Sequence, residues 1–257
     1  KRDLLIDQLS ELVDVRTTEN EFGAVSVAVG GRFLVVETGV QKLALATQSA
    51  SDLGPKVVFE NGGQVADISN GTIKGLLDVR DENVTAYIDQ LNQLAVAVTE
   101  QVNSLHRTGY NLSGTTGINF FDPNVSGAGD FAVSPEILND VNLVAASDAS
   151  GEAGNNNVAL AIANLQDSKV MNDGTFTFND FYNSLLSTVG AQTQEASFLK
   201  DSFSLTVQKL EFTRDSISGV SLDEEMTNLI EAQQAYTAAT RVIATVEEMA
   251  QSVLNMV

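Results

Sequence analysis

Residues 229–257 carry an apolar repeat that leaves few alternatives for this end of the chain. Leu229, Ala232, Tyr236, Ala239, Ile243, Val246, Ala250, Val253 and Val257 recur at alternating steps of three and four. That spacing places side chains on one face of an α-helix. A second row, Ala235, Val242, Met249 and Met256, lies beside the first, so the stripe is wider than a two-stranded seam uses. The opposite face is small rather than charged: Thr237, Ala238, Ala244, Thr245 and Ser252. At about 1.5 Å per residue, a helix over 222–257 reaches roughly 54 Å, about the width of a whole domain. Such a rod cannot cover its own stripe. It needs another helix beside it, from a missing N-terminal segment or from another subunit. Periodicity alone also allows a plainer reading, the last core helix of a soluble bundle. Length, terminal position and the small outer face favour the stripe that meets a neighbour. Its expected assembly residues are Leu229, Ala232, Tyr236, Ala239, Ile243, Val246, Met249, Val253 and Met256.

Upstream, the period changes three times. Leu5, Leu9 and Leu12 sit at helical spacing, so residues 1–20 read as the end of a rod helix whose start is absent. Val25, Val27 and Val29 alternate with small residues, Gly30-Gly31 supplies a tight turn, and Phe33 and Val35 resume the alternation. This is a hairpin signature, because adjacent glycines reach the positive φ that two-residue turns demand. A second hairpin is expected where Val57–Phe59 meets Val65–Ile68 across Asn61-Gly62-Gly63, making 21–71 a β-rich unit. From 72 to 108 the pattern is a long helix with Val84, Ile88, Leu91, Ala95, Val98, Val102 and Leu105 on one stripe. It stops at His106, Arg107 and Gly109, cations and a glycine being ordinary helix-end residues. Residues 109–177 are irregular and mixed, with a strand piece at 131–133 and a helix at 158–165. Thr177 and Asp180 form a capping box that opens a long helix over 178–219, carrying Phe181, Leu185, Leu199, Phe203, Leu210 and Ile217. Ser221 and Glu224 form a second box that launches the final helix, 220–257. The expected class is α+β, mainly α: long antiparallel helical rod segments with a small β-hairpin-rich outer unit.

Composition removes most chemistries. Among the 257 residues, 14 Lys and Arg face 34 Asp and Glu, a formal charge of −20. No basic residue occurs between Arg107 and Lys169. Nucleic acid and anionic membranes need cationic patches to neutralise phosphate, so neither is an expected partner. No segment approaches the length of unbroken apolar sequence that spans a bilayer. Cysteine is absent and His106 is the single histidine, which excludes thiolate nucleophiles, sulfur-ligated metals and multi-histidine zinc sites. His106 has no readable catalytic partner, and helix-end placement accounts for it. The adjacent pairs Asp81-Glu82, Glu224-Glu225 and Glu247-Glu248 diverge by about 100° on a helix and do not converge on one substrate. Asp148–Glu152 lacks the ligand alternation of a calcium loop, and no glycine run carries a phosphate-cradle motif. Four Asn-x-Ser/Thr sequons, at Asn70, Asn83, Asn111 and Asn124, are read as accidental. The expectation is no enzyme activity and no cofactor.

Three stretches resemble one known family. Ser221-Leu222-Asp223-Glu224-Glu225-Met226-Thr227-Asn228-Leu229-Ile230, continuing through Gln233-Gln234-Ala235-Tyr236 to Arg241-Val242-Ile243, is similar to the C-terminal segment of bacterial flagellar axial proteins. Val102 to Tyr110 with Gly114, Gly117 and Phe120-Phe121, and Arg2 to Val13 ahead of Gly30-Gly31, resemble the hook-associated family that joins hook to filament (FlgK). The resemblance implies a helical inner domain built from both chain ends, β-rich outer parts, and a structural adaptor role at the hook–filament junction. It implies other axial subunits as partners (hook protein, second junction protein, self-copies) and an export chaperone that shields the C-terminal helix. It also implies an extracellular place in the flagellum, reached through the flagellar secretion apparatus. The chain departs from the family pattern in lacking the N-terminal helical half, and in a short stretch after Phe120-Phe121. An alternative reading is an extracellular adhesion or ligand-binding module on an axial-protein scaffold, using 21–69 and the loops at 109–177.

Overall fold

The computed structural model of the chain describes residues 1–47, 54–218 and 222–255. These divide into two units, Lys1–Ser187 and Thr188–Val257. The class is α+β, mainly α.

The first unit opens with α1 (Arg2–Leu12) and continues with four antiparallel strands in the order β1 (Arg16–Glu19), β2 (Val25–Val29), β3 (Arg32–Val36) and β4 (Gly39–Val40). The expected β2–β3 hairpin is present, with Val29 opposite Arg32. Gly30 and Gly31 have φ of 55° and 75°, the doubly positive pair of a primed turn. Gly30 is needed twice over, since a Cβ there would stand 2.9 Å from the backbone N and O of Asp67. A two-stranded sheet follows, β5 (Leu43–Ala46) with β6 (Lys56–Phe59). This adds to the second hairpin: Val57–Phe59 takes β5 as its main strand partner, in register Leu43↔Phe59 to Ala46↔Lys56. Residues 64–66 return beside β6 through the bridge Val58↔Val65, with Phe59 N–H donating to Gln64 O at 2.8 Å and Ala66 N–H to Val57 O at 2.9 Å, while the Ala66 and Ile68 side chains enter the core. Leu43-Ala44-Leu45-Ala46 hides its strand in residues with high helix propensity. Val13, Val29, Leu34, Val57, Phe59, Ala66 and Ile68 form the core under both sheets, with Leu9, Val15, Leu43 and Ile73 packed on it.

The long helix expected over 72–108 is in three parts: α2 (Thr72–Asp78), a π turn at Val79–Val84, and α3 (Thr85–His106). α2 is fastened to α1, with Thr72 Oγ1 donating to Glu11 O at 2.8 Å. Gly71 (φ 90°) lies so close that a Cβ would sit 2.5 Å from Leu12 O. On α3 the buried face is Ala95, Thr99, Asn103 and His106, which shares only Ala95 with the apolar stripe read from the sequence. Val84, Ile88 and Leu91 are exposed, and Val98, Val102 and Leu105 only half-buried. The helix is turned by the polar groups that it must deliver to the loops beyond it.

Those loops carry α4 (Pro135–Asn139) and α5 (Asn157–Asn164). The strand piece at 131–133 appears as the single bridge Phe121↔Val133. Gly109 follows α3 without a positive φ. Its role is close approach, since a Cβ would stand 2.9 Å from the Ala145 Cβ and 3.0 Å from Val158. Finally α6 (Phe178–Ser218) begins in the first unit and runs into the second, which it shares with α7 (Leu222–Leu254).

Candidate assembly surface

The polar side chains that the sequence marks for chemistry are spent on the fold. His106 is 1% exposed. Its Nε2 accepts from the Ala145 N–H at 2.9 Å and its Nδ1 lies 2.8 Å from Ile118 O. An accepting Nε2 fixes the neutral tautomer with the proton on Nδ1, so both ring nitrogens serve the backbone. The Phe120 ring meets the imidazole edge-on at 5.5 Å. Three residues earlier on the same face, Asn103 accepts from the Phe120 and Phe121 N–H groups at 2.8 Å each and donates to Phe121 O at 3.0 Å. These two residues pin the stretch 118–121 and the segment at Ala145 to α3.

Asp148, Glu152 and Asp81 are occupied as well. Asp148 accepts from Asn155 at 2.7 Å and Asn157 at 2.8 Å, and Glu152 accepts from Asn155 at 2.9 Å. The Asn157 and Asn155 amides hold the Asp148 carboxyl below the usual carboxylate range. Asp130 is held low by the Ser126 N–H, the Ser126 hydroxyl and the Gly127 N–H. Asp81 is gripped by its neighbour Arg80, which lowers its pKa. Among the described residues, no group of three or more His, Asp or Glu side chains is arranged to hold a metal.

What remains uncommitted is apolar surface. The Thr177–Asp180 capping box forms, with Asp180 N donating to Thr177 Oγ1 and Thr177 N to Asp180 Oδ2, both at 3.1 Å. It starts the 41-residue α6. Ser221, of the second box, lies outside the described residues. In the second unit every described side chain except that of Val189 is exposed. Leu229, Tyr236, Ile243, Val246 and Met249 stand between 54% and 74% exposed on α7, with Ala232 and Ala239 exposed among them. Val253 falls on α7, but its side chain, like Met256 as a whole, is outside the described residues. These side chains share one face of α7 rather than being scattered around it.

α6 contributes more than the sequence reading noted. Leu199, Phe203, Leu210 and Ile217 are exposed as one row. A second row, Phe198, Leu205 and Phe212, is also exposed. The signal for it is a plain seven-residue step, masked by the stronger neighbouring row.

Residues 1–121 match the family model of the flagellar hook-associated protein FlgK helical domain. Residues 214–256, which hold all of α7, match that of the flagellar basal body rod FlgEFG protein C-terminal region. Flagellar hook-associated protein 1 of Bacillus subtilis is 29% identical over 292 residues, covering 99% of this chain. Over its whole length the chain is similar to the FlgK family of flagellar hook-associated proteins. Flagellar hook-associated protein 1 of Escherichia coli is 22% identical, and that of Salmonella typhimurium 23%, each over 100% of this chain. The chain spans 57% to 64% of the length of these three relatives.

Proposed function

We propose that this chain is a structural subunit of the bacterial flagellum that joins hook to filament, and that it assembles by laying the apolar face of α7 against helices of neighbouring axial subunits. The observation that carries this reading is the exposed stripe from Leu229 to Met249, within the segment that matches the C-terminal model of axial rod proteins. Val253 and Met256 extend the same face in the proposal. Burying such surface releases about 25 cal/mol per Å² of apolar area, which must exceed the entropy of ordering the helices. The exposed rows of α6 join the interface on the same argument.

The proposed partners are hook protein, a second junction protein and further copies of this chain. An export chaperone would cover the α7 stripe before assembly. The place of action is the extracellular flagellum. The charge of −20 keeps unassembled subunits apart by mutual repulsion. Among the described residues no helix is long and apolar enough to cross a membrane. The role is that of a building block, with the side chains of His106 and Asp148 engaged in holding loops.

The deciding experiment expresses the full-length relative-sized protein in a strain lacking its own copy. Removal of residues 222–257 should leave hooks without filaments and cells non-motile. Filaments restored by the truncated protein would refute the assembly role of α7.

A further inference from the structure

The helical run from Thr72 to His106 joins an apolar β core to a hydrogen-bonded loop body. On one side stands the core of Val13, Val29, Leu34, Val57, Phe59, Ala66 and Ile68, on which Ile73 of α2 packs. On the other stand Asn103 and His106 of α3 with the loops they hold. Among the described elements, substantial packing stays within one body or the other and crosses between them through the π turn Val79–Val84. The turn contains no buried residue. A π turn carries one residue more than an α turn, is the rare form within helices, and marks sites where a helix bends.

One side chain restrains it. Arg80 reaches back from the turn to the β body, its Nη1 donating to Pro55 O at 2.7 Å. Its Nε and Nη2 grip Asp81 at 2.5 and 2.8 Å. Gly54 lies against the guanidinium, where a Cβ would stand 3.0 Å from Nη1. Lys74 and Asp78 pair one turn earlier on α2, which stiffens the helix on the β side of the joint.

We propose that residues 79–84 are a hinge between the β body and the α3 body, with Arg80 as the strap that limits its travel. Asp81 orients the strap, and the Pro55 carbonyl is its anchor. The proposal is independent of where the chain assembles, since it concerns motion within residues 1–187.

The cysteine-free sequence allows clean spin labelling. Thr18 on β1 and Ser104 on α3 are both exposed. The Thr18→Cys/Ser104→Cys chain, labelled at both positions, is measured by electron-paramagnetic-resonance distance distributions. A broad distribution is expected, broader still with Arg80→Ala and narrower when Glu82 is deleted so that the turn closes as α-helix. In the unlabelled chain, backbone amides at 81–88 should exchange about tenfold faster than those at 94–102. A single narrow distribution that Arg80→Ala leaves unchanged, with equal exchange in the two stretches, would overturn the hinge. If the Glu82 deletion does not fold, the Arg80→Ala comparison and the exchange rates decide.

Discussion

Asn103 serves the backbone with both ends of its amide, accepting from two N–H groups and donating to one carbonyl while 4% exposed. Asn103→Ala leaves buried peptide groups without partners, and each such loss costs about 1–3 kcal/mol. The expected destabilisation is about 3 kcal/mol, read from urea unfolding. Carboxylates set a different dependence. Asp14 is pushed up by its partial burial, but the Ser69, Asp14 and Asn70 hydrogen bonds outweigh this and hold it below its ordinary value. Asp130, Asp148 and Asp180 are held low by hydrogen bonds as well. A carboxyl depressed in the folded state contributes stability fully above its unfolded pKa of about 3.9, and loses it as pH falls through the folded value. Melting temperature should therefore be level through neutral pH and fall below about pH 4. The slope should be shallower with Asp130→Asn and Asp148→Asn combined.

At the scale of elements, the β2–β3 turn separates two costs that sequence alone merges. Gly30 and Gly31 both hold positive φ, but a Cβ meets the Asp67 backbone at Gly30 and nothing within 4 Å at Gly31. Gly31→Ala should cost about 1 kcal/mol from conformation, and Gly30→Ala clearly more because Asp67 must move. Thermal melts of the two variants test the order. The α7 face calls for a different measurement. Ile243→Asp puts a charge in the middle of the exposed stripe, so it should leave helicity and monomer stability near the wild type while abolishing filament attachment. Thr237→Asp on the small opposite face should be milder; equal loss from both would move the interface off the stripe. The helical spacings of α6 and α7 were legible because a rod with one dominant apolar row repeats for many turns. The β5 strand was not, since Leu and Ala read as helix until a partner strand takes their backbone hydrogen bonds.

For the molecule as a whole, stability is unevenly shared. The first unit has an apolar core and a pinned loop network, whereas the second exposes all its described side chains except Val189. Isolated helices without packing melt with little cooperativity. Circular dichroism on heating should thus show a shallow early loss of helix and a sharp later step. Deleting residues 222–257 should remove part of the first and leave the second, together with most binding of an apolar dye. Local periodicity and motif spacing determined the helical rods, the Gly30-Gly31 hairpin, the absence of thiol and multi-histidine chemistry, and the FlgK resemblance. All of these depend on neighbours within a few turns of chain or on residue types alone. Only the tertiary structure decided that α3 buries Asn103 and His106 instead of most of its apolar row, that β6 pairs with β5, and that a π turn interrupts the long helix. Those outcomes are settled between segments distant in sequence, where satisfying buried backbone groups outweighs the preference of any single helix face.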